Sequence, residues 1–147
     1  MLRPLTRWLR EKGRAVSGYE YAAAIAAVQL TTREAAVAWE DYDVICTPTL
    51  ARPPVPVGAL RDDADPAHDF AAQTEFTPWT SVWNLTGWPS VTLPLHWSDD
   101  DGVTLPIGVM FGGRQGGEET LLSLAAQLEA ARPWRHKRPP VWSVETE

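Results

Sequence analysis

Acyl transfer by a serine requires a hydroxyl held beside a base. The serines here, Ser17, Ser81, Ser90, Ser98, Ser123 and Ser143, are scattered, and none sits in a Gly-x-Ser-x-Gly turn. Lys12 and Lys137 fall in terminal segments of solvated character, away from the desolvation that turns an amine into a general base. His68, His96 and His136 belong to a loop, a strand exit and a basic tail, without the spacing of metal ligands. Cys46, the single cysteine, rules out an internal disulfide and fits a reducing compartment. In its β-rich run it reads as a small buried hydrophobe, the sharper alternative being a pocket-lining thiol at a strand end. A thiol hydrolase built on Cys46 and a histidine lacks an adjacent base to ionise the sulfur. Gly112-Gly-Arg-Gln-Gly-Gly117 has the composition of an anion cradle before a helix, yet lacks the Lys-Ser/Thr ending of a P-loop; it reads as a strand-to-helix turn.

Spacing predicts the elements that would position such groups. Residues 5–12 fit a short helix ended at Gly13, and Ser17-Gly-Tyr-Glu20 has the form of a capping box. Ile25, Val28, Ala35 and Trp39 recur near helical spacing among alanines, which predicts a helix over 18–40. Asp43-Val-Ile-Cys-Thr47 predicts a strand over 43–47 covered on both faces. Pro48, Pro53, Pro54, Pro56 and Pro66 with several acidic residues predict a long proline-rich loop over 48–76, of a length typical of lids and straps. Thr77, Pro78 and Gly87 punctuate a short helix over 78–86. Val91, Leu93 and Leu95, then Ile107, Val109 and Phe111, alternate as strands over 90–95 and 106–112, an antiparallel hairpin joined by a solvated connection from His96 to Leu105. Leu121, Leu124, Ala125 and Leu128 stripe a last helix over 117–132, and Pro133 opens a surface tail over 133–147.

An apolar content of 44% with 22% charged residues is that of a folded soluble domain. A net charge of -6 argues against a nucleic-acid partner, and the basic residues Arg3, Arg7, Arg10, Lys12 and Arg14 read as a solvated helix. No run is long and apolar enough for a membrane span or a signal peptide, so a cytoplasmic location is expected. Eight tryptophans, three strands and a long loop make a sheet that struggles to bury its own apolar surface, so additional strands from another segment or chain are expected.

Several segments in order resemble the amidase signature family over nearly the whole chain: Asp43-Val-Ile-Cys-Thr-Pro-Thr49, Arg52-Pro-Pro-Val-Pro-Val-Gly58, Asn84-Leu-Thr-Gly-Trp-Pro-Ser-Val-Thr-Leu-Pro94, Leu105 to Arg114, Glu118 to Ala126, and the Trp134 and Arg138 tail. The resemblance implies an α/β fold, the C-terminal part of an amidase-type α/β/α layered domain with a mixed sheet. It implies hydrolysis of carboxylic amide C–N bonds through an acyl-enzyme formed by a Ser-Ser-Lys triad, with no metal or organic cofactor. In the family that triad lies upstream in a Gly/Ser-rich region, and nothing like it is present here, so no catalytic residue is carried over and the isolated chain is expected to be inactive. The chain then resembles a split subunit, a truncated gene product or a fragment, partnered by an upstream amidase segment or another chain over its exposed sheet. The alternative is a noncatalytic amidase-derived binding or scaffold protein. The family positions near a small-molecule amide fall at Thr47, Pro48, Asn84, Thr86 and Gly87, with Trp83 in an aromatic wall alongside Trp79 and Trp88. Asn84, Thr86 and Gly87 are equally suited to ending a helix.

Overall fold

The computed structural model describes residues 2–100 and 102–139, apart from the side chain of Asp100. The order is α1 (Pro4–Ala15), α2 (Gly18–Ala38), β1 (Val44–Pro48), α3 (Pro66–Phe76), α4 (Ser81–Thr86), β2 (Ser90–Asp100), β3 (Val103–Gly113) and α5 (Glu118–Ala131). The fold is α/β, with the three strands in one sheet of order β1-β3-β2. Every pairing within it is antiparallel, the hairpin of β2 and β3 included, so the parallel ladder that makes a sheet mixed is not among these strands.

Local chemistry explains most element ends. The Ser17 hydroxyl accepts from Glu20 N at 3.2 Å while Glu20 Oε2 accepts from Ser17 N at 2.8 Å, a reciprocal cap that opens α2 where expected. α1 runs through Gly13 to Ala15, because one glycine weakens a helix by only about 1 kcal/mol. The proline-rich loop is corrected by α3, which occupies its last part: Asp65 Oδ1 accepts from Ala67 N and His68 N at 3.1 Å, and Pro66 fills the first turn, where its missing N–H would be unbonded anyway. Thr77 ends α3 instead of opening the next helix, and α4 begins at Ser81. The connection expected from His96 to Leu105 is also corrected. The ladder continues to Asp100 and Val103 after a shift between Pro94 and His96, since paired backbone tolerates polar side chains on an exposed ribbon.

Alternation divides the sheet into two faces. On one, Leu93, Phe111 and Leu121 form the core, with Val44, Val91, Val109, Leu124 and Trp134 packed around it. The expected stripe of α5 does face the sheet, where it packs on β2 and β3. Trp134 joins this core, which ties down the start of the expected surface tail; residues 140–147 lie outside the described ones. Cys46 is exposed, contrary to the buried reading, and β1 is not covered on both faces, because α5 spans its neighbours. On the second face Met110 and Trp83 are buried. α2 packs against α4 and α1 against α3, but neither α1 nor α2 holds a buried residue, and Tyr19 and Val37 of α2 are 84% and 74% exposed. No helix among the described residues is long and apolar enough to cross a membrane.

Candidate functional site

The second face of the sheet carries the most concentrated constellation. Ile45 and Gly112 are cross-strand partners, as are Thr47 and Met110, so these four share that face. Trp83, 5% exposed on α4, packs against Gly112: a Cβ at that glycine would stand 1.9 Å from its Cη2. The end of α2 brings Trp39 to 5.2 Å from the Trp83 ring and 5.7 Å from Trp88. Tilted and edge-on aromatic packing of this kind is favourable beyond the area it buries. Trp79 is 43% exposed and outside the group; Trp39, reached from a helix far off in sequence, takes the place expected of it.

Beside these rings opens a cleft of about 250 Å³, lined among others by Trp39, Tyr42, Ile45, Trp88, Gly112 and Arg114. Arg114 closes one side, its Nε donating to Tyr42 O at 2.9 Å and its Nη2 lying 3.5 Å from Asp43 Oδ1. The ion pair is exposed and screened; the backbone bond to the Tyr42 carbonyl fixes the guanidinium. Glu40, Asp43 and Gln115 also line the cleft, so aromatic surface and polar groups share a concavity of the kind small-molecule sites use. A second cleft of about 290 Å³ holds His96 and Ser98 on one face of β2, yet the Ser98 hydroxyl turns to Leu105 O at 3.5 Å. Among the described residues no serine hydroxyl is hydrogen-bonded to a histidine or lysine: Ser17 bonds Glu20 and Ser123 bonds Gln127.

Thr47 and Trp83 lie on the face of the sheet that carries the cleft, beside Met110 and Gly112 and outside the cleft's own lining. The hydroxyl of Thr47 and the indole N–H of Trp83 are buried with no hydrogen-bond partner among the described residues. A buried polar group left without a partner costs about 1–3 kcal/mol. Pro48 is exposed on the opposite face, since successive residues of a strand alternate. Thr86 and Gly87 build the turn into β2: Thr86 Oγ1 donates to Val82 O at 2.8 Å and accepts from Trp88 N at 3.4 Å, and Gly87 has a φ of 70°. They set the position of Trp88, while Asn84 is exposed on α4. Sequence reasoning missed Gly112, Arg114 and Trp39 as cleft residues. No local pattern marks them: the strand register that sets Gly112 opposite Ile45, and the approach of Trp39 and Arg114, exist only in the folded chain.

A model of the amidase family matches residues 1–122. The chain belongs to the amidase family. Its relatives include AmiB2 of Mycobacterium tuberculosis (strain ATCC 25618 / H37Rv), a protein that bears an amidase name, at 38% identity over 136 residues, 92% of this chain and 29% of that one. AmiA2 of the same strain is 41% identical over 100 residues, 68% of this chain and 20% of the relative. Among solved structures, 6-aminohexanoate cyclic dimer hydrolase superposes with a TM-score of 0.82 at 26% identity, over 92% of this chain and 29% of that one. This amidase-family chain thus spans under a third of the length of the relatives it matches.

Proposed function

We propose that this chain is the sheet-and-cleft portion of an amidase that hydrolyses carboxylic amide C–N bonds through an acyl-enzyme, with the Ser-Ser-Lys machinery on a segment outside these 147 residues. The observation that carries this reading is a tryptophan-walled cleft in a chain matching the amidase family over residues 1–122, with no serine bonded to a base among the described residues. The Trp39 and Trp88 rings offer a rigid apolar wall for the acyl or amine part of the substrate. Thr47 Oγ1 and Trp83 Nε1, unpartnered among the described residues, hydrogen-bond the completing segment or the bound amide. Pro48 ends the strand after Thr47; Asn84, Thr86 and Gly87 hold the α4 to β2 turn that places Trp88.

The test is complementation. Purified chain is assayed for ammonia or amine release from simple amides, alone and after co-expression with the AmiB2 polypeptide from which the region matching this chain has been removed. Hydrolysis only in the pair is the expected result. Release above background by the chain alone overturns the placement of the nucleophile elsewhere; a stable pair with no hydrolysis supports the noncatalytic scaffold instead.

A further inference from the structure

The turn that closes α2 gathers aromatic and acidic groups at one end of the tryptophan-walled cleft. Glu40 N donates to Val37 O at 3.4 Å and Tyr42 N to Trp39 O at 3.1 Å, so the chain doubles back and presents Trp39, Glu40 and Tyr42 to the same concavity. Trp88 lines it too, its ring 5.7 Å from that of Trp39 and inclined at 67°, so the two indoles form a corner and not a stack. Ile45 and the bare backbone of Gly112 and Gly113 complete the apolar part of the lining.

Charge decides what such a corner accepts. The lining holds two carboxylates, Glu40 and Asp43, against one guanidinium, Arg114, which leaves one negative charge over. Arg114 is already engaged by Tyr42 O and Asp43, whereas the Glu40 carboxylate has no ion pair or hydrogen bond among the described residues. The cleft also takes in Ala36 from the last turn of α2, a helix of 21 residues with no basic residue in that turn. Carbonyls at a helix C-terminus carry partial negative charge and favour a cation. The faces of tryptophan and tyrosine rings do the same through their quadrupole. Three separate features therefore prefer a positive charge, in a concavity whose apolar surface suits an alkyl chain.

We infer that the corner of Trp39, Glu40 and Trp88 binds a protonated alkylamine, and that the amide hydrolysed by the assembled enzyme carries such an ammonium group. The ammonium lies against the indole faces and pairs with the Glu40 carboxylate, while the alkyl chain runs along Ile45. No bond is made or broken at this site, which serves to select and orient. Binding stands on the cleft alone; assigning the ammonium to the substrate rests on the amidase reading above.

Two measurements test the two halves. In the chain alone, the indole N–H resonances of Trp39 and Trp88 are followed while n-butylammonium, 1-butanol or butyrate is added at pH 7. The expected result is a saturable shift with butylammonium, whose affinity exceeds that of the alcohol and the acid by about tenfold. Glu40 is exposed, so Glu40→Gln should keep the urea midpoint and weaken butylammonium by about threefold. Butanol binding as tightly, no saturable shift, or an unchanged affinity in Glu40→Gln overturns the inference; tighter butyrate overturns it in favour of an anion on Arg114. In the pair with the truncated AmiB2 polypeptide, 4-aminobutanamide should be preferred over butanamide by about tenfold in kcat/KM, carried by KM, and Glu40→Gln should remove most of that preference. Ammonium binding by the chain without amide hydrolysis by the pair sinks the amidase reading and leaves the binding site standing. Hydrolysis of both amides at equal kcat/KM overturns the assignment of the ammonium to the substrate.

Discussion

Gly112 and Trp83 are locked together: the indole occupies the space that any side chain at 112 would need, with Cη2 at 1.9 Å and Cζ2 at 2.1 Å from the position of a Cβ. The contact joins α4 to the central strand and sets the back of the aromatic cleft.

Gly112→Ala therefore forces the buried ring out of its seat. A loss of about 2–3 kcal/mol is expected from overpacking of this kind, read as a lower denaturant midpoint with a red-shifted tryptophan emission. An unchanged midpoint and spectrum would show that the ring relocates at no expense.

Leu121 and Leu122 are neighbours on α5 with opposite environments, 3% and 66% exposed. Leu121→Ala should destabilise by about 2–5 kcal/mol through lost burial and the cavity left beside Leu93 and Phe111, while Leu122→Ala should stay within roughly 0.5 kcal/mol. Equal effects in paired urea melts would contradict the position of α5 on the sheet.

The Thr47 hydroxyl is buried without a partner among the described residues, so Thr47→Val removes an unsatisfied group and keeps the shape. The isolated chain should gain about 1 kcal/mol in stability, whereas the complemented pair should lose hydrolytic rate. A destabilised chain in thermal melts would mean that the hydroxyl is bonded after all.

The capping box is sensitive to acid. Hydrogen bonds from the Ser17 side chain and then its backbone hold the Glu20 carboxyl below its ordinary value of 4.5. A carboxylate with a depressed folded-state pKa contributes above its unfolded pKa, and that contribution fades as pH falls through the lower folded value. Helicity at the start of α2 should thus persist at pH values well above 4.5 and decline below 4.5. Ser17→Ala should return the Glu20 titration, followed by carboxyl carbon resonance, toward its ordinary position.

Segments governed by near neighbours are legible in the amino-acid order itself. The capping box closes within three residues, and the alternation of Leu93 with Leu95 and of Val109 with Phe111 marks both strands of the hairpin and their core face. The α5 stripe is readable for the same reason: periodicity reports which face is apolar. Misreadings arise where one residue type serves two local purposes. Pro66 has the form of a breaker, yet with Asp65 before it the same proline starts α3, and Thr77, which has the form of a cap, closes that helix.

Amino-acid order settled the class of fold, the family resemblance, the absence of a Gly-x-Ser-x-Gly turn, and the residues that could end α4. Tertiary structure alone decided that Trp39 and not Trp79 meets Trp83 and Trp88, that Thr47 and Pro48 part to opposite faces, and that Arg114 reaches the carbonyl of Tyr42 across 72 residues. The physical reason is range. Caps, turns and periodicity depend on backbone geometry within a turn or two, while a cleft is made by side chains whose meeting depends on loop closure and on which face of the sheet each helix finds free.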